Sequence, residues 1–183
     1  FYNMRRGKHR EVQPNPAHDA LARLQAEYGG EVVIVTLNVD RLHERGGSAG
    51  VIHMHGVLDG LLCNACGFRW DWPFERKLDL ETPCPSCGAG PTRPDVVWFG
   101  EMPYFLDEIE THLSGCDLFV AIGTSGNVYP AAGFVQIADI CGADTLEINL
   151  EASAVSSTFA RQLRGPASEV VPAWVEDVLS NRA

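Results

Sequence analysis

Four cysteines in two tight pairs constrain the fold of this chain more than any other feature of its sequence. The pairs are Cys63-x2-Cys66 and Cys84-x2-Cys87, and seventeen residues separate them. Each pair brings two thiolates to one point, so two pairs complete a tetrahedral shell around Zn²⁺. A closed shell of four sulfurs leaves no position for water, and the spacing therefore predicts one structural zinc ion. The alternatives are two disulfides or four unconnected thiols.

The composition narrows the compartment and the partners of the protein. A chain of 183 residues with 45% hydrophobic residues fits one domain, or a core domain with a small inserted module. No stretch approaches the ~18–20 apolar residues of a membrane span, and no signal segment opens the chain, so we expect a cytoplasmic protein without membrane contact. Cys116 and Cys141 lie in apolar surroundings and are predicted to be buried free thiols, which suits a reducing cytosol. The net charge of −10 argues against direct nucleic-acid binding.

Strand-like and helix-like segments alternate along most of the chain. Continuous β-branched or apolar runs predict buried strands at residues 32–35, 118–122 and 145–149. Helical patterns follow Asn15-Pro16 and begin near Pro103, Pro130 and Pro172. This alternation predicts an α/β fold with a parallel sheet and helices on both faces.

The segment at residues 61–94 interrupts this alternation. It is rich in Cys, Gly and Pro and has no helical period. We therefore predict that residues 1–60 and 95–183 form the sheet domain, and that residues 61–94 form a zinc module inserted into it.

Two loops follow predicted strands at the edge where ligands of parallel sheets bind. The first is Gly123-Thr124-Ser125-Gly126, and an acid, Glu151, follows the next strand. Together they favour a nucleotide site in which the acid binds ribose hydroxyls, although an ordinary turn explains the glycine loop alone. Asn38 and Asp40 follow the first predicted strand and are either ligand-binding groups or, for Asp40, a helix cap.

His53 and His55 alternate along a short strand-like segment, which would place them on one face. Histidine has a reference pKa of about 6.5 and suits general-base catalysis at neutral pH. The alternatives are a packing role, or metal binding beside the cysteines. The apolar segments at residues 96–101 and 127–130 are either core strands or free edges to which an extended peptide adds a strand.

Several of these motifs, in this order, resemble the sirtuins. They are the run TLNVDRLHERGG, His55-Gly56, the four cysteines, RPDVVWFGE, GTSGNVYPAAG, NLE and GPAS. The resemblance covers nearly the whole chain and is closest to bacterial members that remove acidic acyl groups. It implies a Rossmann-like NAD-binding domain, a small zinc-ribbon domain and NAD-dependent protein-lysine deacylation, by a protein that we expect to be a monomer.

The resemblance also implies roles for individual residues. His55 would be the catalytic base that takes a proton from the hydroxyls of the nicotinamide ribose, after the acyl oxygen has expelled nicotinamide. Two sets of residues would bind the NAD co-substrate and the extended acyl-lysine strand. The NAD set is Leu37, Asn38, Val39, Asp40, Gly123, Thr124, Ser125, Asn149, Leu150, Glu151 and Ala167, and the substrate set is Tyr2, Arg5, Val97, Phe99, Gly100, Val128 and Tyr129.

The pair formed by Tyr2 and Arg5 bears on the acyl group. At i and i+3 on a helix the two side chains share a face, where a guanidinium and a phenol hydroxyl can hold a carboxylate. In the family this pair marks the removal of succinyl and malonyl groups. The alternative is that both are solvated residues at a frayed terminus.

The sequence departs from the sirtuin pattern in two respects. Leu37 stands where the family usually has a glutamine that bonds the NAD ribose, and a lost polar contact costs about 1–3 kcal/mol. The family's Gly-Ala-Gly-Ile-Ser loop and Thr-Phe-Arg segment would precede Phe1, so we expect this sequence to be a fragment of a longer protein.

The sequence thus predicts NAD-dependent removal of succinyl, malonyl and acetyl groups, giving nicotinamide and O-acyl-ADP-ribose. The alternatives are a catalytically impaired remnant that binds NAD or acyl-peptide, and a zinc-ribbon module for nucleic acid, against which the acidity counts.

Overall fold

The computed structural model describes residues 2–79 and 81–181, apart from the side chain of Arg10. The chain divides into two compact units. The first unit contains the segments Phe1–Gln13, Ile34–Leu42 and Val51–Phe105, and the second contains Pro14–Val33, His43–Gly50 and Leu106–Ala183.

The first unit consists of one helix and short strands in two sheets. Its elements are α1 (Tyr2–Glu11), β1 (Val35–Thr36), β2 (Ile52–His53), β3 (Gly56–Cys63), β4 (Arg69–Asp71) and β5 (Thr92–Val96). β1 and β2 pair in parallel, and β4, β3 and β5 form an antiparallel sheet in that order. No helix occurs among the described residues of 61–94, as the sequence predicted. The predicted strand at residues 32–35 begins only at Val35, because Val32 packs against the core of the second unit instead.

The pairing of β3 with β5 links the cysteine-bearing region to His55-Gly56. The ladder joins Cys63 to Thr92 at one end and Gly56 to Val96 at the other. Gly56 has a φ of +76°, and a Cβ at this position would overlap the backbone carbonyl of Asp95. Only glycine allows the two strands to approach so closely here.

A buried arginine attaches α1 to the rest of the first unit. Arg6 is 1% exposed, and its guanidinium donates to the backbone carbonyls of Leu58, Trp72 (2.8 Å) and Pro73 (2.7 Å). Burial lowers the pKa of Arg6, and the charge of Asp59 partly opposes this shift. Since these acceptors are main-chain groups far along the chain, Arg6 links the helix to distant parts of the same unit.

The second unit contains a parallel sheet with helices. Its strands are β6 (Leu118–Ile122), β7 (Asp144–Asn149) and β8 (Arg161–Arg164), which pair in parallel in that order. Its helices are α2 (Pro16–Glu27), most of α3 (Leu42–Arg45), α4 (Leu106–Gly115), α5 (Phe134–Ile140) and α6 (Ala167–Ser180), with 3-10 turns at Ala131–Gly133 and Ser156–Thr158.

The core of this unit lies between β7 and two helices. Leu146 and Ile148 are fully buried against Leu24 of α2 and against Val171 and Val175 of α6. α5 also contacts β6 and β7, and its buried residues are not part of this core. Helices therefore cover both faces of the sheet. The predicted parallel α/β fold is therefore confirmed.

Several local predictions hold and others do not. Asn15 caps α2 as predicted, and its side chain accepts the backbone N–H of Ala17 at 2.9 Å. α6 begins at Ala167 and not at Pro172. Cys141 is exposed and Cys116 only half-buried, so the predicted burial is wrong for Cys141, which follows the exposed end of α5. No helix in the described part of the chain is long and apolar enough to cross a membrane.

We predict that Arg6→Ala lowers the free energy of unfolding by about 3 kcal/mol, because several buried carbonyls lose their donor. Urea denaturation followed by tryptophan fluorescence measures the change. Lys8→Ala, at an exposed position of the same helix, is the matched control. An equal and small effect of both substitutions would show that Arg6 does not hold α1.

Candidate functional site

The four cysteine sulfurs form one cluster in the first unit. All four Sγ atoms lie within 4.8 Å of one another, and the Cys63–Cys87 and Cys66–Cys84 pairs are each 3.7 Å apart. A disulfide would require about 2.05 Å. Sulfurs in a tetrahedron around Zn²⁺, at about 2.3 Å from the metal, lie about 3.8 Å apart, so the spacing fits a zinc ion.

The pKa values of the cysteine thiols also favour a cation at the cluster. Hydrogen bonding by the backbone of Cys66 lowers the pKa of Cys63 to about 7. The backbone of Ala89 lowers the pKa of Cys87, but the neighbouring sulfurs and burial outweigh it and raise that pKa to about 12. Four adjacent thiolates therefore do not form without a compensating charge, which Zn²⁺ supplies when bound. A zinc ion at this site would be structural, since the four sulfurs would fill its coordination shell.

His55 lies in the turn between β2 and β3. Its Nδ1 is 3.1 Å from the backbone carbonyl oxygen of Leu37. If Nδ1 carries the proton for this bond, Nε2 is left with a lone pair and can act as a base. The predicted common face with His53 is wrong, because the chain leaves β2 at Met54 and turns before it reaches His55.

The segment after β1 is held mainly through its backbone. The Leu37 carbonyl orients His55, and the Val39 carbonyl accepts the N–H of Leu58 at 2.8 Å. The carboxylate of Asp40 accepts the N–H of Leu42, the first residue of α3, at 3.0 Å. The capping alternative for Asp40 is therefore observed. The Asn38 side chain is exposed.

A polar cavity lies at the carboxyl ends of β6 and β7 in the second unit. It has a volume of about 420 Å³, and five of its lining residues are among those predicted to bind NAD. They are Gly123, Thr124, Ser125, Asn149 and Glu151. The side-chain amide of Asn149 donates to the Thr124 carbonyl at 2.6 Å and thereby ties the two strand ends together. Leu150 is exposed, and Ala167 opens α6 beside the core.

Sequence reasoning missed the carboxylate that supports this cavity. Glu147 of β7 is 1% exposed, and it accepts the Ser156 hydroxyl at 2.6 Å and pairs with Arg164 at 2.6 Å. Burial raises the pKa of Glu147, but the hydrogen bonds from Ser153 and Ser156 and the charge of Arg164 lower it further, so the net shift is downward. Glu147 thus holds the loop that lines one side of the cavity.

A second missed group lines a cavity of about 420 Å³ in the first unit. The buried carboxylate of Asp95 accepts from Arg69 at 3.1 Å and from the Tyr104 hydroxyl at 2.9 Å. The Arg69 guanidinium also lies over the Tyr104 ring, 4.4 Å from its centroid. These contacts join β4 to β5 near His53. Only the long-range pairing of the strands brings the three side chains together, so no local pattern announces them.

The predicted peptide-binding residues are divided between the units. In the first unit, the N–H of Val97 donates to the His55 carbonyl at 2.9 Å, while Phe99 and Gly100 are exposed beyond the end of β5. In the second unit, Val128 and Tyr129 are exposed beyond β6. Neither segment forms a strand, although the Val97 N–H is bonded to His55 and the Val128 carbonyl accepts the N–H of Ala132 at 2.8 Å.

The helical prediction for Tyr2 and Arg5 is confirmed, since both lie on α1. The helix is attached by Arg6 and by Asn3, whose side chain exchanges two hydrogen bonds with the backbone of Leu78, at 2.6 and 3.2 Å. Tyr2 is half-buried, and its hydroxyl oxygen accepts the indole N–H of Trp98 at 2.7 Å. This anchoring disagrees with the alternative of a frayed terminus.

Comparisons with known proteins extend over nearly the whole chain. The profile of the Sir2 family matches residues 1–130. The NAD-dependent protein deacylase SIR2rp3 of Leishmania major is 53% identical, over 98% of this chain and 75% of that protein. An NAD-dependent protein deacylase of Caulobacter vibrioides is also 53% identical, over 98% of this chain and 76% of that protein.

Two solved structures have a similar fold. A Sir2 homologue in complex with NAD has a TM-score of 0.89 at 36% identity, over 98% of this chain and 70% of that one. Sir2Af2 bound to a myristoylated histone peptide has a TM-score of 0.78 at 36% identity, over 93% of this chain and 74% of that one.

We predict that the purified protein contains one zinc ion per chain and that Cys84→Ser abolishes zinc binding, because three sulfurs do not close the shell. Elemental analysis gives the metal content. Hydrogen exchange should then accelerate at residues 60–79 and 84–95, with residues 118–149 still protected. Cys141→Ser is the control and should retain zinc. A full metal content in Cys84→Ser would rule out the four-sulfur site.

We predict that Glu147→Gln lowers the free energy of unfolding at pH 7 by about 1–3 kcal/mol, since charge-assisted hydrogen bonds are lost. The folded-state pKa of Glu147 is depressed, so this stabilisation is present above the unfolded pKa of about 4.3 and is lost as the pH falls through the lower folded value. Urea midpoints between pH 7 and pH 3.5 should therefore converge for the two proteins. Glu110→Gln, at an exposed position, should show no such convergence. A difference for Glu147→Gln that is independent of pH would contradict a charged Glu147.

Proposed function

The chain belongs to the Sir2 family of NAD-dependent protein deacylases, and we propose that it acts preferentially on succinyl- and malonyl-lysine and also removes acetyl groups. The products are free lysine, nicotinamide and O-acyl-ADP-ribose. The observation that carries the acyl preference is the position of Tyr2 and Arg5 on an anchored helix. None of the six described cysteines forms a disulfide, which supports a reducing, cytoplasmic setting.

His55 is the general base in this proposal. The Leu37 carbonyl receives Nδ1–H, which leaves Nε2 to take a proton from a hydroxyl of the nicotinamide ribose. Support comes from the geometry of the turn, in which Gly56 permits the close approach of β5 and Val97 bonds the His55 carbonyl. The backbone thus fixes both the position and the tautomer of the base.

NAD occupies the polar cavity of the second unit in this proposal. Backbone groups of the Gly123–Ser125 loop face the dinucleotide, while Glu151 accepts hydrogen bonds from the adenosine ribose. Glu147 supports the cavity from below and does not touch the co-substrate. At the nicotinamide ribose, Leu37 offers only backbone groups, because its side chain has no polar atom.

The peptide binds as an extended strand along Val97, Phe99 and Gly100. Its acyl-lysine carries a carboxylate to Arg5 and to the hydroxyl of Tyr2, where a guanidinium and a phenol form charge-assisted hydrogen bonds. Lysines that carry an uncharged acyl group lack this interaction. The preference is therefore a difference in binding of the acyl terminus alone.

Leu37 favours a second candidate function, namely a protein that binds NAD and acyl-peptide without turnover. The lost polar contact corresponds to roughly a ten- to hundredfold reduction in affinity or rate. Calorimetric NAD binding without any release of nicotinamide would support this function and contradict the deacylase proposal.

The decisive experiment compares matched peptides with four different acyl groups on the lysine, using protein expressed from its complete coding sequence. The acyl groups are succinyl, malonyl, acetyl and the methyl ester of succinyl. We predict that Arg5→Met lowers kcat/KM for the two free acids by about 10- to 100-fold, far more than for the acetyl or ester peptides, because one charge-assisted bond is lost. Mass spectrometry of peptide and nicotinamide measures turnover.

Two controls accompany this measurement. Lys8→Met removes a charge from an exposed position of the same helix and should leave the ratio of succinyl to acetyl turnover unchanged. His55→Ala should abolish turnover of every peptide while the protein stays folded. An equal loss of activity on free-acid and acetyl peptides in Arg5→Met would contradict the proposed carboxylate site. Activity in His55→Ala would contradict the role of His55 as the base.

A further inference from the structure

We propose that Trp98 is a positioning residue for acyl selectivity, because its indole N–H orients the Tyr2 hydroxyl toward the carboxylate of the acyl group. This inference rests on the proposed function, in which Tyr2 binds that carboxylate. Trp98 itself touches neither NAD nor the reacting atoms in this proposal. It acts through Tyr2, to which it is joined across ninety-six residues of sequence.

The contact is short and directional. The distance from Trp98 Nε1 to the Tyr2 hydroxyl oxygen is 2.7 Å. The indole side is 44% exposed and the phenol is half-buried, so the bond lies at the edge of the first unit, where a ligand can reach it. Because Asn3 and Arg6 anchor α1, Tyr2 does not need Trp98 to stay attached to the protein.

The chemistry of the two side chains gives the bond its consequence. An indole N–H is only a donor, whereas a phenol hydroxyl both donates and accepts. In the Trp98 bond, the Tyr2 oxygen accepts the indole N–H. In the proposed complex, the Tyr2 O–H is the donor to the ligand. A carboxylate can only accept, so this orientation is the one that binds a succinyl or malonyl terminus.

Trp98 is in turn held by a buried arginine. The Arg93 guanidinium lies 4.3 Å from the centroid of the Trp98 ring, and it donates to Glu101 at 2.8 Å. The other oxygen of Glu101 accepts the backbone N–H of Trp98 at 2.9 Å. Hydrogen bonding by that N–H lowers the pKa of Glu101. Arg93 also donates to Asn64, between the first two cysteines, at 3.1 Å.

These contacts separate two functions of Trp98. The ring and backbone are fixed by Arg93 and Glu101, whereas the N–H alone reaches Tyr2. Phenylalanine at this position keeps an aromatic face for Arg93 and the backbone bond to Glu101, and removes the donor together with the five-membered ring of the indole. Trp98→Phe is therefore a selective probe of the bond to Tyr2.

The test measures kcat/KM for succinyl- and acetyl-lysine peptides in the protein, in Trp98→Phe, in Tyr2→Phe and in the double variant. We expect Trp98→Phe to lower the ratio of succinyl to acetyl efficiency about three- to tenfold, the effect of one neutral hydrogen bond. In the Tyr2→Phe background the same substitution should have no further effect on the ratio. Trp70→Phe, in β4 of the same unit, is the matched control and should not change the ratio.

An independent readout reports the bond without any turnover. The indole ¹H–¹⁵N resonance of Trp98 is assigned by its loss in Trp98→Phe, and Tyr2→Phe should shift it. An unshifted resonance, an equal loss on both peptides in Trp98→Phe, or additive losses in the double variant would overturn the inference.

The failure of the proposed function has a different signature. If Tyr2→Phe leaves the succinyl-to-acetyl ratio unchanged, Tyr2 does not bind the carboxylate, and both the proposed acyl site and this inference are wrong even if the resonance shifts. If Tyr2→Phe lowers the ratio and Trp98→Phe does not, the acyl site stands and only the role of Trp98 is overturned.

Discussion

The pairing of β3 with β5 is the constraint on which the first unit depends. Cys63 ends β3, and the second cysteine pair lies shortly before β5, so the sulfur cluster fixes the register at one end of the ladder. At the other end, Gly56 and Val96 face each other at a separation that only glycine permits. His55 and Val97 are the next residues along the two strands. The β3–β5 ladder thus connects the sulfur cluster to the turn that contains His55.

In each unit, main-chain groups and buried side chains hold the residues that are proposed to contact ligands. The Leu37 carbonyl orients His55 whatever the side chain at that position. Glu147 holds the cavity loop of the second unit from a fully buried position. Buried charges of this kind are costly unless fully paired. Glu147 is paired, and it holds a loop that lacks regular secondary structure in one conformation.

Patterns local in sequence predicted most of the fold and part of the site. The cysteine spacing, the apolar runs of β6 and β7 and the Asn15 cap each depend on neighbouring residues. The two strands and the cap are confirmed, and the four sulfurs lie together as a zinc site requires. β8 was missed because its sequence, RQLR, has four exposed residues and no strand pattern. The Tyr2–Trp98 bond and the contacts of Arg6 join residues more than fifty positions apart, which no local pattern reveals. The proposed roles of single residues, such as Ala167, rest on the family resemblance, because composition and periodicity do not indicate them.

The attachment of α1 has a consequence for protein engineering. Asn3 and Arg6 attach the helix through bonds to main-chain groups of a loop, whereas Tyr2 and Arg5 lie on the neighbouring face. Attachment and the proposed acyl recognition therefore occupy different positions of one helix. Libraries randomised only at positions 2 and 5 retain both anchors, so laboratory selection can test the proposed acyl site with new acyl groups and little loss of folded variants.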